Sequence, residues 1–367
     1  MIEYSISTAD RVLVTGSNGF IGSRVVEVLL KLGVTNIQCF VRPSSRLGRL
    51  NEVLAHAAHE KQQIEVIAGD LLSRADCAKA ADGISLIYHL AAGMDKSFAG
   101  AFMNSVLTTR NLLDAFLKYG QPKRFVNVSS FAVYSNLKLE RGALLDETCP
   151  LEDAPQERFD AYGYGKLKQD QLVMEYGKEH NLPYVIVRPG AVFGPGKREL
   201  SGRLGVDTFG FLVHLGGSNP LPLTYVDNCA EAIVLAGLKP GIEGEIFNVV
   251  DDDALTSREF LREYKKHTGA FSLSIPYGLT KLLCTCWERY SKATSNQLPP
   301  AFNQRRCAAE WKGNRYSNQK LKERLGWQPR VSMDKGMEAF LGQFGKSDDG
   351  GRRRGQRTED RRPMTEV

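Results

Sequence analysis

No apolar run in this 367-residue chain approaches the ~18 residues that a bilayer-spanning helix needs. The opening "MIEYSISTADRVLVTG" lacks the charged-then-apolar order of a secretory leader. Cysteine is scarce and odd in number, 7 in all, and follows no framework of spacings. The pair in "CTC" (284–286) is one residue too close for a metal or redox pair. These absences exclude a secreted disulfide scaffold and give no cysteine metal site. They predict a reduced, cytoplasmic protein with no bound metal. Charge of one sign is in modest excess, +6 overall, and part of it sits in "GRRRGQR" (351–357). Such a tail reads as a solvated end, so neither nucleic acid nor a membrane is an expected partner. The apolar stretch 275–287 carries Pro276 and Lys281 and reads as a surface or substrate-covering helix.

What the chain has in quantity is alternation. Short apolar runs that suit buried strands occur at 11–16, 36–41, 64–69, 85–91, 124–129 and 184–189. Helical spacing follows each of the first three and the fourth, near 20–33, 49–60, 73–81 and 99–119. Another helix is expected from about Tyr162 to His180. This order predicts an α/β fold, a Rossmann-type doubly wound parallel sheet covered on both faces. Residues 8–190 would form that unit, completed by about 224–250. A smaller substrate lobe would come from 191–223 and 251–344, over the edge of the sheet where ligands sit in such folds. Helices are expected in it near 256–267, 277–292, 318–325 and 333–344. Residues 345–367 are charged and glycine-rich, which predicts disorder.

"TGSNGFIG" (15–22) sets Gly16, Gly19 and Gly22 between a strand and a helix. Glycines there permit a tight turn and let backbone approach a pyrophosphate resting on the helix N-terminus. About 20 residues further on, an acidic residue would bind a ribose 2′-hydroxyl. The chain offers Arg42 instead, followed by two serines and Arg46. Arginine suits a 2′-phosphate, so NADP is favoured over NAD.

The spacing Gly-x-x-Gly-x-x-Gly resembles the short-chain dehydrogenase/reductase superfamily. "TGSNGFIG" is similar to the signature of its extended branch, the NAD-dependent epimerase/dehydratase family, and the likeness runs from about residue 11 to 344. "GDL" (69–71) resembles that family's adenine contact, which implies Asp70 and Leu71. "HLAA" (89–92) resembles its strand end beside the cofactor, with Leu90, Ala91 and Ala92. "NSVLTTRNLL" (104–113) resembles its Asn-led helix, with Asn104 kept and Leu107 replacing the usual glycine. "VRPGAVFGPG" (187–196) implies Pro189 at the cofactor. By the same likeness Asn18, Phe20 and Ile21 join the three glycines in an NAD(P) site.

"AYGYGK" (161–166) offers two tyrosines to one lysine. Residues four apart share a helix face, so Tyr162 pairs with Lys166 and Tyr164 points elsewhere. A nearby ammonium favours the phenolate, and the phenol can then move a proton at a carbinol oxygen. The family's Tyr-x-x-x-Lys pattern implies catalytic roles for both, with Gly165 where Ser or Thr is common. "VSSFAVY" (128–134) implies Ser130 as the hydroxyl on the reacting oxygen, with Ser129 its neighbour. Family dehydratases carry an Asp-Glu pair next. Here stand Phe131 and Ala132, which argues against dehydration.

Three functions remain open. The ending "NRYSNQKLKERLGWQPRVSMDKGMEAF" (314–340) resembles that of nucleotide-sugar epimerases, and Arg305 and Arg306 just before it could clamp a diphosphate. That favours an epimerase acting on a small-molecule nucleotide sugar. Leu221 stands where some of these enzymes place a diphosphate arginine. That favours the alternative, an NADP-dependent ketone reductase or a hydroxysteroid- or dihydroflavonol-type dehydrogenase. A non-catalytic dinucleotide sensor is the third, opposed by the intact Ser130, Tyr162 and Lys166 set. The family's usual homodimer, through the helices near 99–119 and 162–180, is a further expectation.

Overall fold

The six apolar runs, joined by a seventh strand from the 224–250 segment, pair as neighbours in one parallel sheet. They are β1 (Val12–Thr15), β2 (Asn36–Val41), β3 (Gln63–Ala68), β4 (Leu86–His89), β5 (Arg124–Val128), β6 (Tyr184–Pro189) and β7 (Ile246–Val249). Their spatial order is β3-β2-β1-β4-β5-β6-β7. The computed structural model describes residues 6–7, 10–57, 63–208, 211–295 and 297–344. The tail expected to be disordered lies outside them, as does the end of the expected helix at 49–60.

The strands alternate between two cores. Val12 and Val14 of β1 face a cluster with Val25, Leu29 and Ile233 from helices Gly22–Lys31 and Val226–Leu238. Leu13 faces the opposite cluster, with Leu112, Phe116 and Val173 from helices Thr108–Tyr119 and Ala161–His180. Both faces are therefore covered, as a parallel sheet requires. β1 lies between β2 and β4, so the chain reverses its winding there. The crevice at that switch point is where such folds bind ligands.

Local chemistry sets the helix that carries the tyrosine motif. Asp160 caps it by accepting Gly163 N–H at 2.9 Å, and Asn181 ends it in a left-handed turn. The 99–119 segment differs from expectation. It is helical at Phe98–Ala101, widens to a π-turn over Phe102–Leu107, and resumes at Thr108. The hydroxyls of Thr108 and Thr109 both donate to the Ser105 carbonyl, which competes with the regular ladder. Leu107, in place of a glycine, ends that wide turn. Gly165 has a positive reason to lack a side chain. A Cβ there would stand 3.2 Å from Ser105 Oγ and 3.3 Å from the Ala101 carbonyl, so the two helices approach closely.

Chain beyond β6 builds a lobe over the carboxyl edge. Ala191–Phe193 pairs with Leu223–Tyr225, and Gly205–Thr208, Phe211–His214 and Ser272–Ser274 form a separate three-stranded sheet. A helix at Gln304–Trp311, absent from the sequence expectation, starts at Asn303, whose side chain accepts Arg306 N–H. In the closing segment Gly326 takes φ 67° and buried Trp327 donates Nε1–H to the Asn228 carbonyl at 3.1 Å. The last helix, Met333–Gly342, then lays Phe340 against Phe193 and Phe260, with ring centres 6.0 and 5.8 Å apart.

Candidate active site

β1 ends at Thr15, and Gly16 turns the chain at φ +69°. Gly19 N–H closes the turn on the Gly16 carbonyl at 2.9 Å. A Cβ on Gly22 would lie 2.1 Å from that same oxygen, and one on Gly16 would lie 3.1 Å from Ala91 N at the end of β4. The loop is thus packed backbone on backbone, with room left above it. Helix Gly22–Lys31 opens with no side-chain cap and no acidic residue in its first turn. Its free N–H groups suit an anion. The residues present therefore fit a dinucleotide pyrophosphate.

Two cavities meet over this loop, sharing Gly16, Gly19, Leu90 and Ala92. The smaller, about 290 Å³, is lined by Asn18, Arg42, Asp70, Leu71, Ala91 and Asn104. It lies between the ends of β1, β2 and β4, where an adenosine half would sit. Asp70 holds one oxygen on Leu72 N–H at 2.9 Å. Asn104 donates to Asp95 at 3.0 Å. Arg42 follows the last residue of β2 and begins a turn in which its own N–H meets Ser45 Oγ at 3.1 Å.

The larger cavity, about 630 Å³, runs from Phe20, Ile21 and Gly22 past Ser130, Tyr162, Lys166 and Pro189 to the lobe. Ser130 opens the short turn Phe131–Val133 and accepts Ala132 N–H at 3.2 Å. Its side chain also hydrogen-bonds Tyr162. Burial pushes the Tyr162 phenol up from its ordinary value, and this bond pulls it back. Lys166 is buried and donates to the Val128 carbonyl at 2.6 Å and to Gln169 Oε1 at 2.9 Å. An ammonium has three donors, so one remains. Burial pulls Lys166 down to about 8, against the opposing pull of Asp170. This differs from the sequence expectation. What acts on Tyr162 here is its burial and Ser130, and Lys166 is itself a weakened cation. Tyr164 turns away and stands edge-on to Phe98 at 5.4 Å.

Two supporting networks escaped sequence reasoning. Gln169 Nε2–H donates to Thr109 Oγ1 at 2.7 Å. His89 bridges Thr109, at 2.9 Å, to Thr15 of β1, at 2.8 Å. Lys166 is thereby tied back to the glycine loop through buried side chains. Burial drives His89 down to about 3, so it is neutral. On the other side Asp170 accepts Asn127 at 2.8 Å and Arg188 at 3.1 Å. Arg188 continues to Tyr134 at 3.0 Å, and Tyr134 to Asn248 at 2.8 Å. A polar residue inside "HLAA" and a buried arginine in "VRP" were the available signals.

Arg305 and Arg306 are not brought to the cleft. Arg305 binds Glu152 and Asp153, each at 2.7 Å, and Glu157 at 3.2 Å. Arg306 donates to the Ala301 carbonyl at 3.1 Å. The unforeseen helix 304–311 turns Arg305 onto the acidic 152–157 loop and leaves Arg306 on its own chain's Ala301 carbonyl. From the lobe the cavity is lined by Leu204, Leu221, Leu223, Phe260 and Phe340, together with Lys197, Glu199 and Ser201, and Arg49 also borders it. Both cations are bonded to backbone carbonyls, Val192 and Gly196.

The sequence profile of the NAD dependent epimerase/dehydratase family matches residues 12–249, about two thirds of the chain. The chain belongs to that family. It is an oxidoreductase-type enzyme of the extended short-chain dehydrogenase/reductase superfamily. Mouse sterol-4-alpha-carboxylate 3-dehydrogenase (decarboxylating) is 24% identical over 357 residues, covering 92% of each chain. A 3-beta-hydroxysteroid dehydrogenase of Mycolicibacterium neoaurum is 29% identical over 270 residues, 69% of this chain and 68% of that one. Among solved structures, UDP-glucuronic acid 4-epimerase of Bacillus cereus, in complex with UDP-glucuronic acid and NAD, has TM-score 0.68 at 23% identity. It covers 91% of this chain and 98% of its own, a likeness of fold. No helix among the described residues is long and apolar enough to cross a membrane.

Proposed function

We propose that this enzyme is an NAD(P)-dependent dehydrogenase of apolar secondary alcohols, of the 3β-hydroxysteroid kind. The observation that carries this is the cleft wall on the lobe side. Leu204, Leu221, Leu223, Phe260 and Phe340 would meet a substrate there, and the arginines expected for a diphosphate are committed elsewhere. Apolar walls with a few convergent polar groups suit a ring-bearing alcohol. The sterol and steroid dehydrogenases among its relatives support the same class.

The dinucleotide would be held by the glycine loop and the N-terminus of helix 22–31, with Asp70 and Arg42 on the adenosine side. A bound nicotinamide supplies the hydride acceptor and, when oxidised, a positive charge that favours the phenolate. Tyr162 takes the carbinol proton at its phenol oxygen in oxidation and returns it in reduction. Ser130 holds the carbinol oxygen beside that phenol. Lys166 offers its remaining N–H to the ribose, its position fixed by Val128 and Gln169. Asp170 and Arg188 keep the tyrosine helix docked on β6. The exposed Arg42 with Ser45 favours NADP at the adenosine end.

A nucleotide-sugar epimerase is the second reading, favoured by the closing Leu325–Trp327 turn and the last helix. One experiment separates the two. Purified enzyme is given NAD or NADP with a 3β-hydroxysteroid, or with UDP-glucuronic acid. Accumulating reduced nicotinamide with the steroid and none with the sugar is expected. Inversion of the sugar without net reduction of the dinucleotide overturns the dehydrogenase reading.

A further inference from the structure

Helix Tyr277–Ala293 packs one face on the lobe and carries a second, apolar face that is largely exposed. Its inner face carries the buried Thr280, Cys284 and Ser291. Trp287 Nε1–H on the Pro299 carbonyl at 3.1 Å and Ser291 Oγ on the Leu298 carbonyl at 2.6 Å pin it down. The other face carries Leu279, Leu282, Leu283, Cys286, Trp287 and Tyr290. These fall at i, i+3, i+4, i+7, i+8 and i+11, one continuous helical stripe. Yet Leu279, Leu282, Leu283 and Tyr290 are 47, 58, 51 and 56% exposed, and Trp287 36%. Phe271 and Leu273, beside the helix, are 69 and 53% exposed. Large apolar groups gathered in this way mark a contact surface.

Charge says what kind of surface. Beside the stripe the helix carries Lys281, Arg289 and Lys292 against one acid, Glu288, which Lys292 engages at 2.8 Å. Lys281 and Arg289 have no ion pair among the described residues. Leucines with a tryptophan and a tyrosine, rimmed by unpaired cations, make the pattern of a helix lying in a membrane interface. Behind the stripe an open cavity of about 550 Å³ is walled by Val213, Leu215, Ile275, Leu283 and Trp287, room for apolar chains. At 17 residues with a charged flank, the helix is not long and apolar enough to cross a membrane.

We propose that the Tyr277–Ala293 helix docks this enzyme onto an anionic lipid surface, burying the Leu279–Tyr290 stripe among the acyl chains.

The protein carries its own reporter. Of its 3 tryptophans, Trp287 stands in the stripe and Trp311 lines the cavity behind it, while Trp327 is buried, so emission reports on this face. The full chain is floated with vesicles of phosphatidylcholine, pure or mixed with phosphatidylglycerol. Binding to the mixed vesicles, a blue shift of tryptophan emission and quenching by brominated acyl chains are expected. Paired Leu279→Glu and Leu282→Glu substitutions should weaken vesicle binding about tenfold or more. Their unchanged thermal midpoint and dinucleotide binding would show the fold intact, as both side chains are exposed. Paired Lys281→Gln and Arg289→Gln substitutions should lower binding to the anionic vesicles alone. The proposal is overturned by absence of vesicle binding. It is equally overturned if the glutamate variant binds undiminished and without the emission shift, since the basic 351–357 segment would then be the attachment. A concentration-dependent dimer that the glutamates dissociate, with no vesicle binding, would assign the stripe to a second copy. Emission and quenching in the unmodified protein decide the matter even if a variant fails to fold.

Discussion

The floor and the roof of the large cavity are built from opposite materials. The floor comes from the carboxyl edge of the sheet, where Ser130, Tyr162, Lys166 and Gly16 stand over hydrogen-bonded polar networks. The roof comes from the lobe, where Leu204, Leu221, Phe260 and Phe340 present carbon. The floor holds atoms in place, because Lys166, Gln169, His89 and Asp170 each have named buried partners, and a displaced side chain would leave one of these unpaired. The roof shapes a space, and its apolar contacts are tolerant of orientation. On the proposed function, chemistry belongs to one side and selection to the other, which predicts different kinetic signatures for damage to each.

The largest effect should come from the floor. Tyr162→Phe keeps the ring but removes the proton carrier, and turnover should fall about 10³-fold, ~4 kcal/mol in the barrier. Dinucleotide affinity should stay within about twofold, since the hydroxyl and not the ring is lost. Retained turnover in stopped-time assays would mean that the floor does not do the chemistry. Next is Gly22→Ala. Its methyl must displace the Gly16 carbonyl, so about 1–3 kcal/mol of stability should be lost. Calorimetry should show dinucleotide affinity falling with it, because the displaced carbonyl closes the very turn that faces the pyrophosphate.

Damage to the roof should look different. Leu221→Gln places an amide in an apolar wall, and kcat/KM for an apolar alcohol should drop about tenfold. The loss should appear in KM, with kcat nearly kept, the reverse of Tyr162→Phe. Equal losses in both parameters would erase the distinction between roof and floor.

Sequence reading was unequal across this same divide. Strand positions, the glycine turn and the Tyr162–Lys166 spacing were legible because each is local: a run of apolar residues, a turn that excludes Cβ, one helix face. The boundaries at 36–41 and 184–189 coincide with β2 and β6. In the roof the helices expected near 256–267, 277–292, 318–325 and 333–344 are found, but the directions of its side chains were not legible. Arg305 and Arg306 looked like a phosphate clamp, but their direction depends on a helix at 304–311 whose start is set by Asn303 and whose acidic partners lie some 150 residues away. The π-turn at 102–107 was likewise hidden, since it arises from threonine hydroxyls competing for one carbonyl.

The buried support of the floor gives a pH prediction. His89 falls to about 3 from an ordinary 6.5, by burial first and then by the charge of Lys166. Between those values the unfolded chain binds a proton that the folded chain refuses. Stability is therefore full above pH 6.5 and declines as the pH falls, by up to ~1.4 kcal/mol per unit from this group. His89→Gln removes the titration and keeps one hydrogen bond. Urea midpoints measured between pH 7 and pH 5 should fall less steeply in the variant. An identical slope would show that His89 does not set the acid limit of the floor.

The smallest effect concerns the far end of the floor, where charge replaces packing. Arg42 is exposed and follows β2 directly, at the position where a ribose 2′-substituent would lie. An exposed ionic contact contributes about 0.5–1 kcal/mol, a few-fold in affinity. Arg42→Ala should therefore weaken NADPH a few-fold and leave NADH unchanged, in direct titrations followed by nicotinamide fluorescence. The difference should shrink as salt is raised, because the contact is solvent-screened. If both dinucleotides weaken together, Arg42 lies along the adenine and the 2′-position is read by neither charge nor serine. The cofactor end would then resemble the roof, a surface that accepts by shape.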